Sequence, residues 1–231
     1  MTLENSDLKK KISVILKHFT VKNYDKVIEE ANRLLKKKPN LDILWNVLGL
    51  TYQRKGNLQR AEENFFRCLQ ANPNNIGAIN NIGNNYKYLF NYKKAVEYFE
   101  KALLINPKYL NALVNYGNLK FELNQFVEAL ELLNQALGID NKSISIRINI
   151  ALVYQSIGDY KKAINILEEV TELNPSFVRA DKMMSALINY NDNDKHLILM
   201  EKKLIELDLN KDQKIFLHFA IGKAYEDKKN F

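Results

Sequence analysis

Apolar and small residues return to the same places along this chain every 34 residues. In windows starting at Leu8, Asp42, Ile76, Leu110 and Ile144, the eighth position holds Gly49, Gly83, Gly117 and Ala151, and the twentieth holds Ala61, Ala95, Ala129 and Ala163. The eleventh carries Tyr52, Tyr86 and Tyr154, and the twenty-fourth carries Phe65, Phe99, Leu133 and Leu167. Pro39, Pro73 and Pro107 keep the same interval, and Pro175 stands two intervals further on, with Asn141 in the vacant place. A fixed period of this length marks stacked supersecondary units. It predicts two helices per repeat, helix A over about the first fourteen positions and helix B over about positions 17 to 30.

Each column has a physical cause. A small eighth residue lets two antiparallel helices approach closely, with the small twentieth residue facing it, and the aromatic columns fill the volume around that contact. Each proline ends helix B, because it disfavours helical geometry in the residue before it. Between the helices, "KNY", "GNL", "FNY", "NQF" and "GDY" set Asn23, Asn57, Asn91, Gln125 and Asp159 where an N-cap is needed. Cys68 falls in the small twenty-seventh column beside Ala102 and Ala136, the position of a core thiol.

The stretch "WNVLGLTYQRKGNLQRAEENFFRCLQANP" (Trp45 to Pro73) carries W-x2-L-G-x2-Y, then A-x3-F, then P. By that signature the chain resembles tetratricopeptide repeat (TPR) proteins. The resemblance implies an all-α fold, a right-handed α-solenoid of antiparallel helix pairs forming a TPR superhelix. It places a tail at 1–7 and five repeats at 8–41, 42–75, 76–109, 110–143 and 144–177. Departures are mild: Ile15, His18 and Val27 replace Gly, Tyr and Ala in the first repeat, and Lys120 replaces Tyr in the fourth.

Beyond residue 177 the Gly and Ala columns are lost. "VRADKMMSALINY" still predicts a helix with Met184, Ala186, Leu187 and Tyr190 on its apolar side, "NDND" supplies caps, and "KHLILMEKKLIEL" predicts the next helix. Residues 178–214 thus form a degenerate sixth repeat. "FLHFAIGKAYED" restores the A-helix pattern, with Gly222 and Tyr225 in the eighth and eleventh columns, so 215–231 is the first helix of a truncated seventh repeat. Asn230 and Phe231 fall in the cap column and the aromatic column of a helix B that does not follow. A frayed or displaced last helix and a fragment of a longer protein are the expectations. "YNDNDKHLILME" with "FLHFAIGKAYED" is similar to the segment joining TPR arrays to sulfotransferase domains in bacterial fusion proteins. That likeness implies a catalytic domain beyond Phe231, using phosphoadenosine phosphosulfate, and carries no catalytic residue onto this chain.

Composition narrows the function. No apolar stretch approaches a membrane span, the N-terminus lacks a secretory pattern, and a cytoplasmic location is expected. One cysteine excludes an internal disulfide, and His18, His196 and His218 lack metal-ligand spacing. No phosphate loop, dinucleotide turn or nucleophile elbow occurs, so no catalytic residue, metal or cofactor is assigned and small-molecule binding is not expected. The net charge of +7 is concentrated in repeat one, where ten basic residues meet three acidic ones. Lys36, Lys37 and Lys38 close a helix whose dipole favours cations, and few aromatics interleave, which weighs against a nucleic-acid partner.

The A helices line the inner face of a TPR superhelix, so function is sought at their non-core positions. The sixth position gives Asn81, Asn115 and Asn149, the ninth Asn84 and Asn118, and the fifth of repeat two Asn46. Carboxamides both donate and accept, and so pair with a peptide backbone of any sequence. The ladder resembles that of TPR domains which hold extended polypeptides, notably in O-linked N-acetylglucosamine transferase. Arg54, Lys87 and Tyr88 would add charge and stacking. These residues imply a scaffold that binds a protein or peptide segment. The alternatives are the substrate-recruiting arm of a sulfotransferase or glycosyltransferase and, third, a nucleic-acid-binding helical repeat.

Overall fold

The computed structural model describes residues 3–191 and 194–228, and every regular element among them is a helix. The order is α1 (Leu3–Thr20), α2 (Tyr24–Leu35), α3 (Asp42–Arg54), α4 (Leu58–Ala71), α5 (Ile76–Tyr88), α6 (Tyr92–Ile105) and α7 (Leu110–Glu122). Then follow α8 (Phe126–Ile139), α9 (Ile144–Ser156), α10 (Tyr160–Leu173), α11 (Arg179–Ser185), α12 (Lys195–Glu206) and α13 (Lys211–Asp227). Starts of helix A at Asp42, Ile76, Leu110 and Ile144, and of helix B at Leu58, Tyr92, Phe126 and Tyr160, recur at the 34-residue interval. Helix α1 begins at Leu3, inside the stretch expected as a tail.

The turns explain the cap columns. Asn23, Asn57, Asn91 and Asp159 each accept a bond from the backbone N–H three residues on, at 3.0 to 3.4 Å. Gln125 makes no such bond, its extra methylene carrying the amide past the helix end. The residue two before α4 and α10 lies at positive φ, +78° at Gly56 and +80° at Gly158, where glycine removes the steric penalty. Helix B ends in an extended residue ahead of the proline, as at Asn72, Asn106 and Asn174.

The chain forms two compact units, Met1–Leu119 and Lys120–Phe231. In the first, a Cβ added to Gly49 would lie 2.4 Å from the ring of Phe65, and one added to Gly83 would lie 2.7 Å from the ring of Phe99. The ring lying on each glycine is that of the phenylalanine in the twenty-fourth column, one of the aromatic columns expected to fill the volume around the helix contact. Ile15, Val27, Ala31, Leu35, Leu44, Val47 and Leu48 fill the core between α1, α2 and α3. Cys68, on α4, is buried as predicted; burial, followed by the charge of Asp42, pushes its thiol up to about 12.

In the second unit, Ala151, Leu167, Val170, Ala180 and Met184 share one core, and Val178, Tyr190, Leu197, Met200, Leu209, Leu217, Ala220 and Ala224 share another. Helix α11 stops at Ser185, earlier than its apolar pattern suggests, and Ala186 is exposed. The last helix is neither frayed nor displaced over its described length. It starts at Lys211 with a capping box between Asn210 and Gln213, and Gln213 Nε2 also donates to the Ser176 carbonyl at 2.8 Å. The expected Asn230 and Phe231 columns lie outside the described residues.

Candidate functional site

In the first unit the asparagines of α3, α5 and α7 form one chain of hydrogen bonds. Asn81 Nδ2 donates to Asn46 Oδ1 at 2.9 Å, Asn80 Nδ2 to Asn81 Oδ1 at 3.4 Å, and Asn115 Nδ2 to Asn80 Oδ1 at 3.0 Å. Two of these bonds cross between successive A helices, and the Asn80–Asn81 bond within α5 links them. Asn80 is 3% exposed and anchors the chain from below, while Asn46, Asn81 and Asn115 are half-buried and keep unused donor or acceptor capacity at the surface. A carboxamide held on two sides has already lost most of its rotamer freedom, so less entropy is lost when a ligand pairs with it.

The other predicted residues are placed as follows. Asn84 and Lys87 are half-buried on α5, Tyr88 is 56% exposed at its end, and Arg54 is exposed at the end of α3. Asn118 is half-buried on α7 and has a partner of its own. Asn149 lies on α9 in the second unit, half-buried and also engaged. Thus Asn46, Asn81 and Asn115 are joined by direct bonds through Asn80.

Sequence reasoning missed Asn80 and Asn85. Asn85 is fully buried, donates to the Leu58 carbonyl at 2.9 Å and faces Gln53, tying α5 to the start of α4. Asn46 with Asn81, and Asn80 with Asn115, stand 35 apart. A search one residue beyond the period would have found them. Beneath this face Tyr86 donates to Glu62, and the Lys94 ammonium lies 4.8 Å from the Tyr86 ring centroid. Burial first, and then the Glu62 carboxylate, raise the Tyr86 phenol above its ordinary value.

The second unit holds a different polar cluster. Asp181 on α11 is 1% exposed and takes Lys203 Nζ on both oxygens at 2.8 Å, with His196 Nε2 at 3.3 Å. His196 Nδ1 meets the Tyr190 hydroxyl at 2.5 Å, and Lys223 Nζ donates to the Ile188 carbonyl at 2.7 Å. A cleft of about 920 Å³ opens beside this cluster, lined by Glu168, Asp181, Leu187, His196, Leu199 and Lys203 among others. The buried polar atoms of the cluster are matched by one another, which describes a staple between α11 and α12 more than a reactive centre.

A family model described as tetratricopeptide repeat matches residues 43–75, the segment of α3 and α4 with Phe65 on Gly49. Residues 43–75 carry a tetratricopeptide repeat. A second model, described as anaphase-promoting complex, cyclosome, subunit 3, matches residues 89–170. Among solved structures, a TPR protein from Parabacteroides merdae is 21% identical with a TM-score of 0.66, covering 96% of this chain and 87% of its own. A thermophilic TPR protein from Thermus thermophilus is 20% identical with a TM-score of 0.66, over 78% of this chain and 97% of its own. YrrB, described as a TPR protein with an unusual peptide-binding site, is 20% identical with a TM-score of 0.60, over 86% and 97%. At these identities the likeness is one of fold, an all-α TPR solenoid. No curated protein matches. No helix among the described residues is long and apolar enough to cross a membrane.

Proposed function

We propose that this TPR protein is an interaction scaffold whose first unit captures an extended polypeptide along the A-helix face of α3, α5 and α7. The observation that carries the reading is the bonded chain Asn46–Asn81–Asn80–Asn115, which presents fixed carboxamides from three successive A helices. Spare donors and acceptors on Asn46, Asn81 and Asn115 pair with main-chain amides of the ligand, and Asn84, Lys87, Tyr88 and Arg54 contribute selectivity around them. The description of YrrB as peptide-binding supports the reading by analogy of fold.

Main-chain recognition has a chemical signature. Screened on a peptide array, the protein should retain unstructured peptides of varied sequence, and N-methylation of a bound peptide's amides should weaken it more than side-chain changes do. Changing Asn46, Asn81 and Asn115 together to Ala should raise Kd about tenfold or more by anisotropy, at roughly 1 kcal/mol for each lost bond. Unchanged affinity in a triple variant that circular dichroism shows to be folded would overturn the proposal.

A further inference from the structure

Glycine weakens a helix, so each one inside a helix needs a cause. Gly49 and Gly83 have one, since a Cβ at either place would run into a phenyl ring. Gly77, on α5 one turn before Asn81, has no such cause. A Cβ added there would lie at ordinary contact distances, 3.4 Å from Asn75 Oδ1, 3.7 Å from Asn46 Nδ2 and 3.8 Å from Tyr109 Oη. Backbone geometry does not ask for it either, because the described glycines at positive φ are Gly56 and Gly158. The second position holds Ile43 in the repeat before and Asn111 in the repeat after, so Gly77 leaves a notch in a column that otherwise carries side chains.

The atoms around the notch are polar, and two of them have hydrogens to give. Asn46 uses its Oδ1 on Asn81, and its Nδ2 meets no acceptor among the described residues. Tyr109 Oη accepts from Asn111 Nδ2 at 3.4 Å, and its own hydrogen likewise meets no acceptor there. The Tyr109 ring packs against the core of Ile79, Ala102 and Ala112, which holds its hydroxyl in place. Asn75 is already committed, accepting from the Ala78 N–H and donating to Asp42, both at 2.9 Å, so it serves as a wall. Gly138, equally free of packing, has no atom within 4 Å of its Cβ position.

We infer that Gly77 sets the register of the bound segment: one of its main-chain carbonyls enters the notch and accepts from Asn46 Nδ2 and Tyr109 Oη. The inference rests on the reading of this face as a peptide site. Such bonds form at about 2.7 to 3.2 Å, so an oxygen standing where the methyl would stand needs each donor to move by about 0.5 to 1 Å. Spare hydrogens select an acceptor, and the main-chain carbonyl is the acceptor that a peptide of any sequence carries at every residue. The carboxamides alone fix no register, because they donate and accept alike. A methyl at 77 takes the place of the oxygen.

The probe is the peptide best retained on the array, labelled with fluorescein and blocked at both ends so that no terminal carboxylate competes for the notch. Gly77→Ala should raise its Kd about tenfold by anisotropy, with a melting temperature at or above the parent's because alanine favours the helix. Tyr109→Phe keeps the ring, and should raise Kd about threefold to tenfold with the melting temperature unchanged. Gly138→Ala adds the same methyl in open space and should leave Kd as it was. If Gly77→Ala or Tyr109→Phe binds as tightly as the parent while the triple asparagine variant has lost binding, the notch is overturned and the peptide site stands. If the triple variant also binds unchanged, or no peptide is retained, the reading beneath has failed and the notch goes with it. A melting temperature lowered by Gly77→Ala would show that packing needs the glycine, and would equally overturn the inference.

Discussion

In the first unit the ring of Phe99 lies on the backbone at Gly83, and the contact there is carbon on carbon. In the second, α11 and α12 meet through Asp181, Lys203 and His196, with Tyr190 behind the histidine. Helix α11 has 7 residues where α3, α5, α7 and α9 each have 13. The missing turns remove the apolar contact that the Gly and Ala columns provide elsewhere. A ring on a glycine is a matter of shape and tolerates repetition along the stack. A buried carboxylate accepts bonds from fixed directions and holds one arrangement, at the cost of desolvating charge. Where the repeat is regular, shape suffices; where it degenerates, directed polar contacts replace it.

The comparison is broken most severely by removing either device. Asp181→Ala leaves Lys203 and His196 facing an apolar site and should cost about 3–5 kcal/mol, with hydrogen exchange accelerated in α11 to α13 and little changed in α3 to α6. Phe99→Ala should cost a similar amount, about 3–5 kcal/mol, through a cavity above Gly83, with the exchange pattern reversed. The two differ in their rescue. Asp181→Ala combined with Lys203→Met should recover much of the loss, because no unpaired charge remains.

Gly83→Ala comes next. Its methyl would sit 2.7 Å from the Phe99 ring, and overpacking of this kind costs about 1–3 kcal/mol. Adding Phe99→Leu should relieve part of the cost, since Ala151 and Leu167 occupy the same two columns and share one core in the second unit. Thermal melts of the single and double variants decide it. Asn80→Ala should cost less, about 1 kcal/mol, because the half-exposed amides it abandons can turn to water; a clear loss of peptide affinity alongside would show that Asn80 positions the residues above it.

The smallest effect is one of pH. Burial pushes the Asp42 carboxyl up, but bonds from the Asn72 and Asn75 amides and from backbone N–H groups outweigh this and hold it below its ordinary value. A carboxyl lowered in the folded state stabilises above its unfolded value, near pH 4, and loses that contribution as pH falls through the folded value. Melting temperatures from neutral to acid pH should therefore fall less for Asp42→Asn than for the parent.

The repeats were legible because glycine, alanine, tyrosine and proline at fixed intervals each answer a backbone or packing demand. How the ring meets the glycine was not. Columns give positions on a helix but not the lean of side chains toward the helix N-terminus, and so not how closely the Phe65 ring approaches Gly49. The face bearing Asn46, Asn81 and Asn115 was visible as recurrence, whereas its bonding was not, since the bonds join neighbouring columns in successive repeats. Asp181, Tyr190 and His196 left no trace, because their contact depends on how a shortened helix packs and not on any interval in the chain.

Cys68 offers a use for the tight contact between α3 and α4. The chain has one cysteine, fully buried, with its thiol held protonated by its surroundings. A thiol reagent therefore has nothing to react with until α3 and α4 part, and the labelling rate becomes a clock for that opening. The helix that must lift is the one bearing Asn46, so occupancy of the asparagine face would slow the clock, and the native protein would report its own ligand without an added dye.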